Sequence, residues 1–418
     1  MSVARFQWGT RVPRKVIVAD IHLTPRRPFG QQALDNCAEA LATGSLSAVT
    51  GRFTAELETG FAEFYGAQHA ITTSSGTAAI HTAIAALNLE PGTEVVVGPI
   101  TDAGSVAPLL FQGLIPVFCD LDEHLAMTVE NIEAVLTERT GAIMVVHIFG
   151  GVSDVRAIRR LADQRGLALL EDCAQAHATT LDDRYLGSYG HIGMFSLQQT
   201  KHMTSGDGGV CLTDDPELAR RMRLFRDKGW DRSATAQRSY PLLGLNYRIT
   251  ELQSAVALPQ LQTLTEVVAA RRRAAARLDD KLAQVPGVTT WVAPPHGEAS
   301  YWCYPFFVEA GRRDQIGQTL LARGVPVTAG YIGAPIFECL VATHDQVTFG
   351  SSSYPYTLAP EGFSYDEVAV PTTRDALNRL IVFWLHEHHT DADLDAVATA
   401  ISEAVTGASI IGEPGDAP

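Results

Sequence analysis

From about residue 50 to residue 215, short apolar runs alternate with stretches whose apolar positions recur at helical spacing. The runs are "HAITTS" (69–74), "EVVVGPI" (94–100), "IPVFCDL" (115–121), "AIMVVHI" (142–148), "LALLED" (167–172), "IGMFSL" (192–197) and "GGVCLTD" (208–214). Most lack polar alternation, the pattern of strands buried on both faces of a mainly parallel sheet. Between them, "TAAIHTAIAALN" repeats Ile80, Ile84 and Leu87 at helical spacing, and "DVRAIRRLADQRG" is a second such segment. Strand and helix alternating with short connections predict a three-layer α/β domain.

The texture changes after about residue 250. "ELQSAVALPQLQTLTEVVAARRRAAARLDDKLAQV" (251–285) reads as a long helix, bent near Pro259. A smaller α+β region follows, with strand candidates "YWCYPFFV" and "GVPVTAGYI" and a terminal helix in "DADLDAVATAISEAV". The predicted organisation is an N-terminal extension (1–30), a large α/β domain (31–265), a smaller C-terminal α+β domain (266–405) and a disordered tail (406–418).

Composition narrows the classes. Apolar residues make up 46% and charged residues 19% of the 418, as in ordinary globular chains. A net charge of −15 argues against a nucleic-acid backbone as partner and, more weakly, against an anionic membrane. No uncharged apolar stretch reaches the roughly 18 residues that a membrane span needs, and "MSVARFQWGTRVPRK" has no apolar core of signal length. Cys37, Cys119, Cys173, Cys211, Cys303 and Cys339 are scattered without a CxxC pair, and read as buried reduced thiols of a cytoplasmic protein.

Three polar features stand out against this frame. A strand runs into Ser74, Ser75, Gly76 and Thr77 and then directly into a helix. Exposed amides and the helix dipole favour a phosphate there, with Gly76 allowing close backbone approach; a plain Ser or Thr cap is the simpler alternative. Asp172 ends a buried strand, where open α/β sheets bind ligands. Its neighbour Glu171 points the other way, so only one of the two faces a site, and a cap or surface carboxylate remains an alternative. Gln175 and His177 follow on the same loop, where a lone histidine more often serves structure. Lys201 lies in "SLQQTKHMTSGDGG" (196–209), in a loop read as lying outside the core; taken alone it is a solvated lysine. Together the three match the needs of pyridoxal phosphate: an amine for a Schiff base, a carboxylate to keep the ring nitrogen protonated, and a phosphate site. The same lysine is suited to shuttle a proton.

The motifs "SSGTAAI", "GTEVVVGPI", "GLIPVFCDLD", "VVHIFG", "EDCAQAHA", "FSLQQTKHMTSGDGG" and "LNYRITELQSAVALPQL" occur in an order and spacing that resembles the DegT/DnrJ/EryC1/StrS family of sugar aminotransferases, from about residue 30 to 405. The resemblance implies an aspartate-aminotransferase-like chain, fold type I of the pyridoxal-phosphate-dependent transferases. It implies Lys201 as the Schiff-base lysine and Asp172 as partner of the pyridine nitrogen. Gln175 matches the donor to the cofactor's phenolic oxygen, and Ala174 a small residue under the ring. Ser75, Gly76, Thr77 and Ser196 match the phosphate site. Asn246 matches an asparagine reaching the neighbouring subunit's phosphate, which implies a homodimer. No metal is implied. One departure is Asp102 in "GPITDAG", where the family usually carries an aromatic stacked on the ring; His147 and Phe149 are nearby in the pattern.

The activity so implied moves an amino group from glutamine or glutamate to a keto-sugar or keto-cyclitol by a ping-pong route, in amino-sugar or antibiotic biosynthesis. The "QQTKHMTSGDGG" stretch leans toward keto-cyclitols. One alternative is a dehydratase or lyase of the same family, which has histidine in place of the lysine. Another is a non-catalytic cofactor-binding regulator, for which the chain shows no DNA-binding segment.

Overall fold

All seven apolar runs become strands of one sheet. In this computed structural model, which describes residues 27–233, 237–294 and 297–407, they are β1 (His69–Thr73), β2 (Glu94–Val97), β3 (Ile115–Phe118), β4 (Thr140–Val146), β5 (Ala168–Asp172) and, after a small hairpin of β6 (Thr180–Leu181) and β7 (Arg184–Tyr185), β8 (Ile192–Ser196) and β9 (Gly209–Thr213). The order is β1-β9-β8-β5-β4-β2-β3. β9 runs antiparallel to both neighbours, and the other pairs are parallel. The C-terminal ends of β1, β2, β4, β5 and β8 therefore open on one edge, where a mainly parallel sheet holds its ligands.

The helix Val155–Arg165 shows how the pattern becomes structure. Val155, Ile158, Leu161 and Ala162 are buried on one face. Asp154 caps its start by accepting from the Ala157 amide at 3.2 Å, and Gly166, at φ 68°, ends it. The segment 251–285 differs from expectation. It forms two helices, Glu251–Leu261 and Leu264–Leu282, and the break falls at Gln262–Thr263 rather than at Pro259. Pro259 cannot bond the Ala255 carbonyl, but the Asn36 side-chain amide donates to that oxygen at 3.2 Å, so the helix runs on through the proline.

Along Leu264–Leu282, Leu264 and Val268 pack into the core of the large sheet, while Ala274, Leu278 and Leu282 pack into a second core. That second core lies against an antiparallel sheet. Its strands are β10 (Val288–Thr290), β12 (Tyr304–Val308), β13 (Val327–Ala329) and β14 (Leu380–Phe383), in the order β10-β12-β14-β13. β11 (Gly297–Glu298) instead pairs with β6, tying the second half of the chain to the first. β14 is absent from the sequence prediction. "LIVF" follows the helix Pro371–Arg379 directly, and a four-residue apolar run without a turn signal is too short to mark a strand by itself. The terminal helix spans Asp391–Thr406, opened by a capping box of Thr390 and Asp393.

Among the described residues no helix is long and apolar enough to cross a membrane. All six cysteines are unpaired; Cys119, Cys173, Cys211 and Cys303 are buried as expected, whereas Cys37 is half-buried and Cys339 exposed. The predicted N-terminal extension and disordered tail lie almost wholly outside the described residues.

Candidate active site

Strand ends and helix starts converge on one cavity of about 570 Å³ at the open edge of the large sheet. Ser75, Gly76, Thr77, Asp102, Asp172, Ala174, Gln175, Ser196 and Lys201 all line it. Asn246 does not. It is exposed and lies in an isolated antiparallel bridge opposite Asp227.

Ser75 caps the helix Gly76–Leu87, its hydroxyl accepting from the Ala78 amide at 3.0 Å. The cap reading is thus correct, and the site reading is compatible with it, because the same helix start faces the cavity. Gly76 is required by packing: a Cβ there would meet the Ser196 Cβ at 2.8 Å. Gly209 answers the same need from β9, where a Cβ would lie 2.3 Å from the Ser75 carbonyl.

Glu171 and Asp172 do point to opposite sides. Glu171 accepts from the amides of Gly187, Tyr189 and Gly190 at 2.9, 2.8 and 2.6 Å, an ion-like clamp on the loop after the β6–β7 hairpin. It also faces His147, and with Cys173 these bring ligand-type atoms within 4.8 Å of one another, but the clamp occupies the carboxylate. Asp172 faces the cavity. Burial raises its pKa, opposed by a hydrogen bond from the Ser105 hydroxyl at 2.7 Å, one from the Ala174 amide at 3.0 Å, and the nearby Lys201 charge. These bonds favour the charged form.

Lys201 is only 9% exposed, and Met203 and Thr204 are fully buried, so this stretch of the loop belongs to the core, contrary to expectation, while Gln199, Gly206 and Asp207 stay exposed. Gln260 holds that loop, accepting from the Thr204 amide at 3.0 Å and donating to its carbonyl at 2.6 Å. Burial draws the Lys201 pKa down to about 8 despite Cys303, Asp172 and Asp102 nearby. The ammonium sits 3.8 Å from the centroid of the Trp302 ring. His202 turns away and donates through Nε2 to the Ser300 carbonyl at 3.0 Å; burial holds it neutral. His177 is structural, bonded to the Ser196 carbonyl at 2.8 Å and drawn to about 4 by burial.

Asp102 caps the helix Ala103–Phe111, accepting from the Gly104 amide at 2.8 Å, and faces the cavity beside it. Ser105, Trp302, Tyr331 and Trp384 also line the cavity and escaped the sequence reading. Ser105 is one helical turn beyond Asp102, a usable signal. The three aromatics come from 100 residues or more beyond Lys201 and reach the cavity only through the fold.

The model of the DegT/DnrJ/EryC1/StrS aminotransferase family matches residues 29–402. The chain belongs to that family. This aminotransferase is 32% identical over 379 residues to the GDP-perosamine synthase of Caulobacter vibrioides, covering 89% of this chain and 95% of the relative. It is 31% identical over 364 residues to the L-glutamine:2-deoxy-scyllo-inosose aminotransferase of Streptomyces lividus, covering 82% and 84%. The structure of S. venezuelae DesV in complex with a ketimine intermediate superposes with a TM-score of 0.78 at 28% identity, over 89% of this chain and 93% of that one. The aminotransferase has fold type I and depends on pyridoxal 5'-phosphate. The residues present fit that group: a buried amine of lowered pKa, a buried carboxylate that accepts from the Ser105 hydroxyl and the Ala174 amide, and a hydroxyl-lined helix start share one cavity.

Proposed function

We propose that this aminotransferase carries an amino group from glutamine or glutamate to a keto-sugar or keto-cyclitol, within amino-sugar or antibiotic biosynthesis, both half-reactions sharing the cavity. The observation that carries the reading is the burial of Lys201 and Asp172 in the same cavity. The cofactor, when bound, supplies an electron sink for a substrate carbanion. Asp172 would hold the proton on the ring nitrogen, and Ser105 and the Ala174 amide hold Asp172. Lys201, with its pKa near 8, takes and returns the proton. Gln175 would donate to the ring oxygen, Ala174 would leave room for the ring, and Ser75, Gly76, Thr77 and Ser196 would hold the phosphate.

That Lys201 rather than His202 faces the cavity supports transamination over dehydration. Among the described residues Lys201 is the sole lysine or arginine lining the cavity, and Trp302, Tyr331 and Trp384 add three aromatics to the lining. Both features suit an uncharged polyol ring better than a diphosphate, so the reading leans to a keto-cyclitol. We read residues 31–265 and 266–405 as the two domains, the chain as a cytoplasmic homodimer, and Asn246 as completing the partner's phosphate site. Exposed Leu243, Leu245 and Tyr240 around Asn246 support an interface there.

Borohydride treatment of the cofactor-loaded protein, followed by peptide mapping, should place the label on Lys201. A label on another lysine overturns the assignment. Turnover with glutamine and glutamate against a panel of keto-sugars and keto-cyclitols identifies the acceptor.

A further inference from the structure

Two groups decide how Gln175 presents its amide. Its Oε1 accepts from the Phe149 amide at 2.8 Å, and its Nε2 donates to the Tyr331 hydroxyl at 3.0 Å. With both ends engaged the amide cannot flip, and one Nε2 hydrogen remains for the cavity that Gln175 lines. Neither partner stands in a relaxed position. Phe149 has φ 57° and Tyr331 has φ 53°, the left-handed region that bulky side chains avoid. Such a cost persists where the surroundings over-determine it, and it clusters at functional sites.

The surroundings of Tyr331 do so. It follows Gly330 (φ 70°), whose amide donates to the Leu380 carbonyl of β14 at 2.7 Å, and precedes Gly333 (φ 85°), whose amide closes the turn on Gly330 at 2.8 Å. The ring stands edge-on to Phe149, centroids 4.9 Å apart, and to Trp302 at 6.4 Å. Burial pushes its phenol pKa up, so the hydroxyl keeps its proton at neutral pH.

We propose that Tyr331 is a positioning residue: its hydroxyl locks the Gln175 amide with the remaining N–H aimed at the cofactor's ring oxygen. The constraint comes from the C-terminal half of the chain, through the turn after β13, onto a loop of the large sheet. It rests on the role proposed for Gln175.

The test uses the cofactor-loaded enzyme. Tyr331→Phe keeps the ring packing and removes the acceptor for Gln175. The visible absorbance band and its pH titration should shift, and both half-reactions should slow by about two- to tenfold, the worth of one neutral hydrogen bond. The melting temperature should fall by no more than about a few degrees, the loss expected for one hydrogen bond in a chain of this size. Gln175→Ala should shift the same band, and the double variant should add little to it, since the two act as one unit. A band that moves in Gln175→Ala but not in Tyr331→Phe overturns the positioning role alone. A band unmoved in Gln175→Ala overturns the role of Gln175 and the inference with it.

Discussion

Lys201 shows what burial does to one amine. With its pKa near 8, about a tenth of the side chain is neutral at pH 7, against a few in ten thousand for an exposed lysine. The rate of pyridoxal phosphate capture, followed by absorbance, should rise with pH and level off near 8 instead of near 10.5. The same shift has a stability consequence in the cofactor-free protein. The folded chain binds this proton less tightly than the unfolded chain, so stability rises between pH 8 and 10.5. Urea denaturation at pH 7.5 and 10 should show that rise shrinking in Lys201→Met; an equal rise in both proteins contradicts the burial argument. The carboxylates separate chemistry from scaffold. Asp172→Asn loses a charge-assisted bond, so turnover should fall by about one to two orders of magnitude in a folded protein. Asp102→Ala removes a helix cap, costing about 1 kcal/mol, and should raise the acceptor's KM more than it slows the donor half-reaction. If Asp102→Ala stops the donor half-reaction and Asp172→Asn is nearly silent, the roles are reversed.

At the scale of elements, Gly76 links a helix start to a strand end. An alanine Cβ would press on Ser196 of β8, which must yield or push the helix N-terminus out of line. Gly76→Ala should weaken cofactor binding while leaving far-ultraviolet circular dichroism unchanged; unchanged affinity in a titration refutes this. The large sheet was legible in the sequence because its strands are uninterrupted apolar runs bounded by turns, a signal that needs no tertiary information. "EDCAQAHA" and "SLQQTKHMTSGDGG" were legible for a related reason, since polar residues at a strand end mark a site. β14 was not, because "LIVF" gains its strand character from pairing with β12 and β13. The course of the chain at Pro259 was not, because it depends on Asn36, more than two hundred residues earlier. Trp302 and Tyr331 were illegible as site residues for the same reason. Distance along the chain carries no sign of proximity.

At the scale of the whole molecule, a buried ion network stands behind the site. Arg27 donates to the Lys201 carbonyl at 2.7 Å and pairs with Glu387 at 3.1 Å, and Arg271 pairs with Glu387 at 2.8 Å while donating to the Trp302 carbonyl at 2.9 Å. The two arginines hold the Glu387 carboxyl at about 2 against burial, so its stabilisation is present above pH 4.5 and is lost as pH falls toward 2. Glu387→Gln should cost about 3 kcal/mol near neutrality, and the cost should shrink in denaturation at pH 3. The assembly gives the remaining prediction. Asn246 is exposed and outside its own cavity, yet the Tyr247 carbonyl beside it accepts from the Ser74 amide at 2.8 Å, one residue before the cavity-lining Ser75. If Asn246 serves the partner's cavity, Lys201→Ala and Asn246→Ala subunits, each inactive alone, form mixed dimers with one intact site. Co-expression should then restore up to about a quarter of wild-type activity, since half the dimers are mixed and each holds one good site. If Asn246 acts within its own chain, every site in every dimer is defective and co-expression restores nothing.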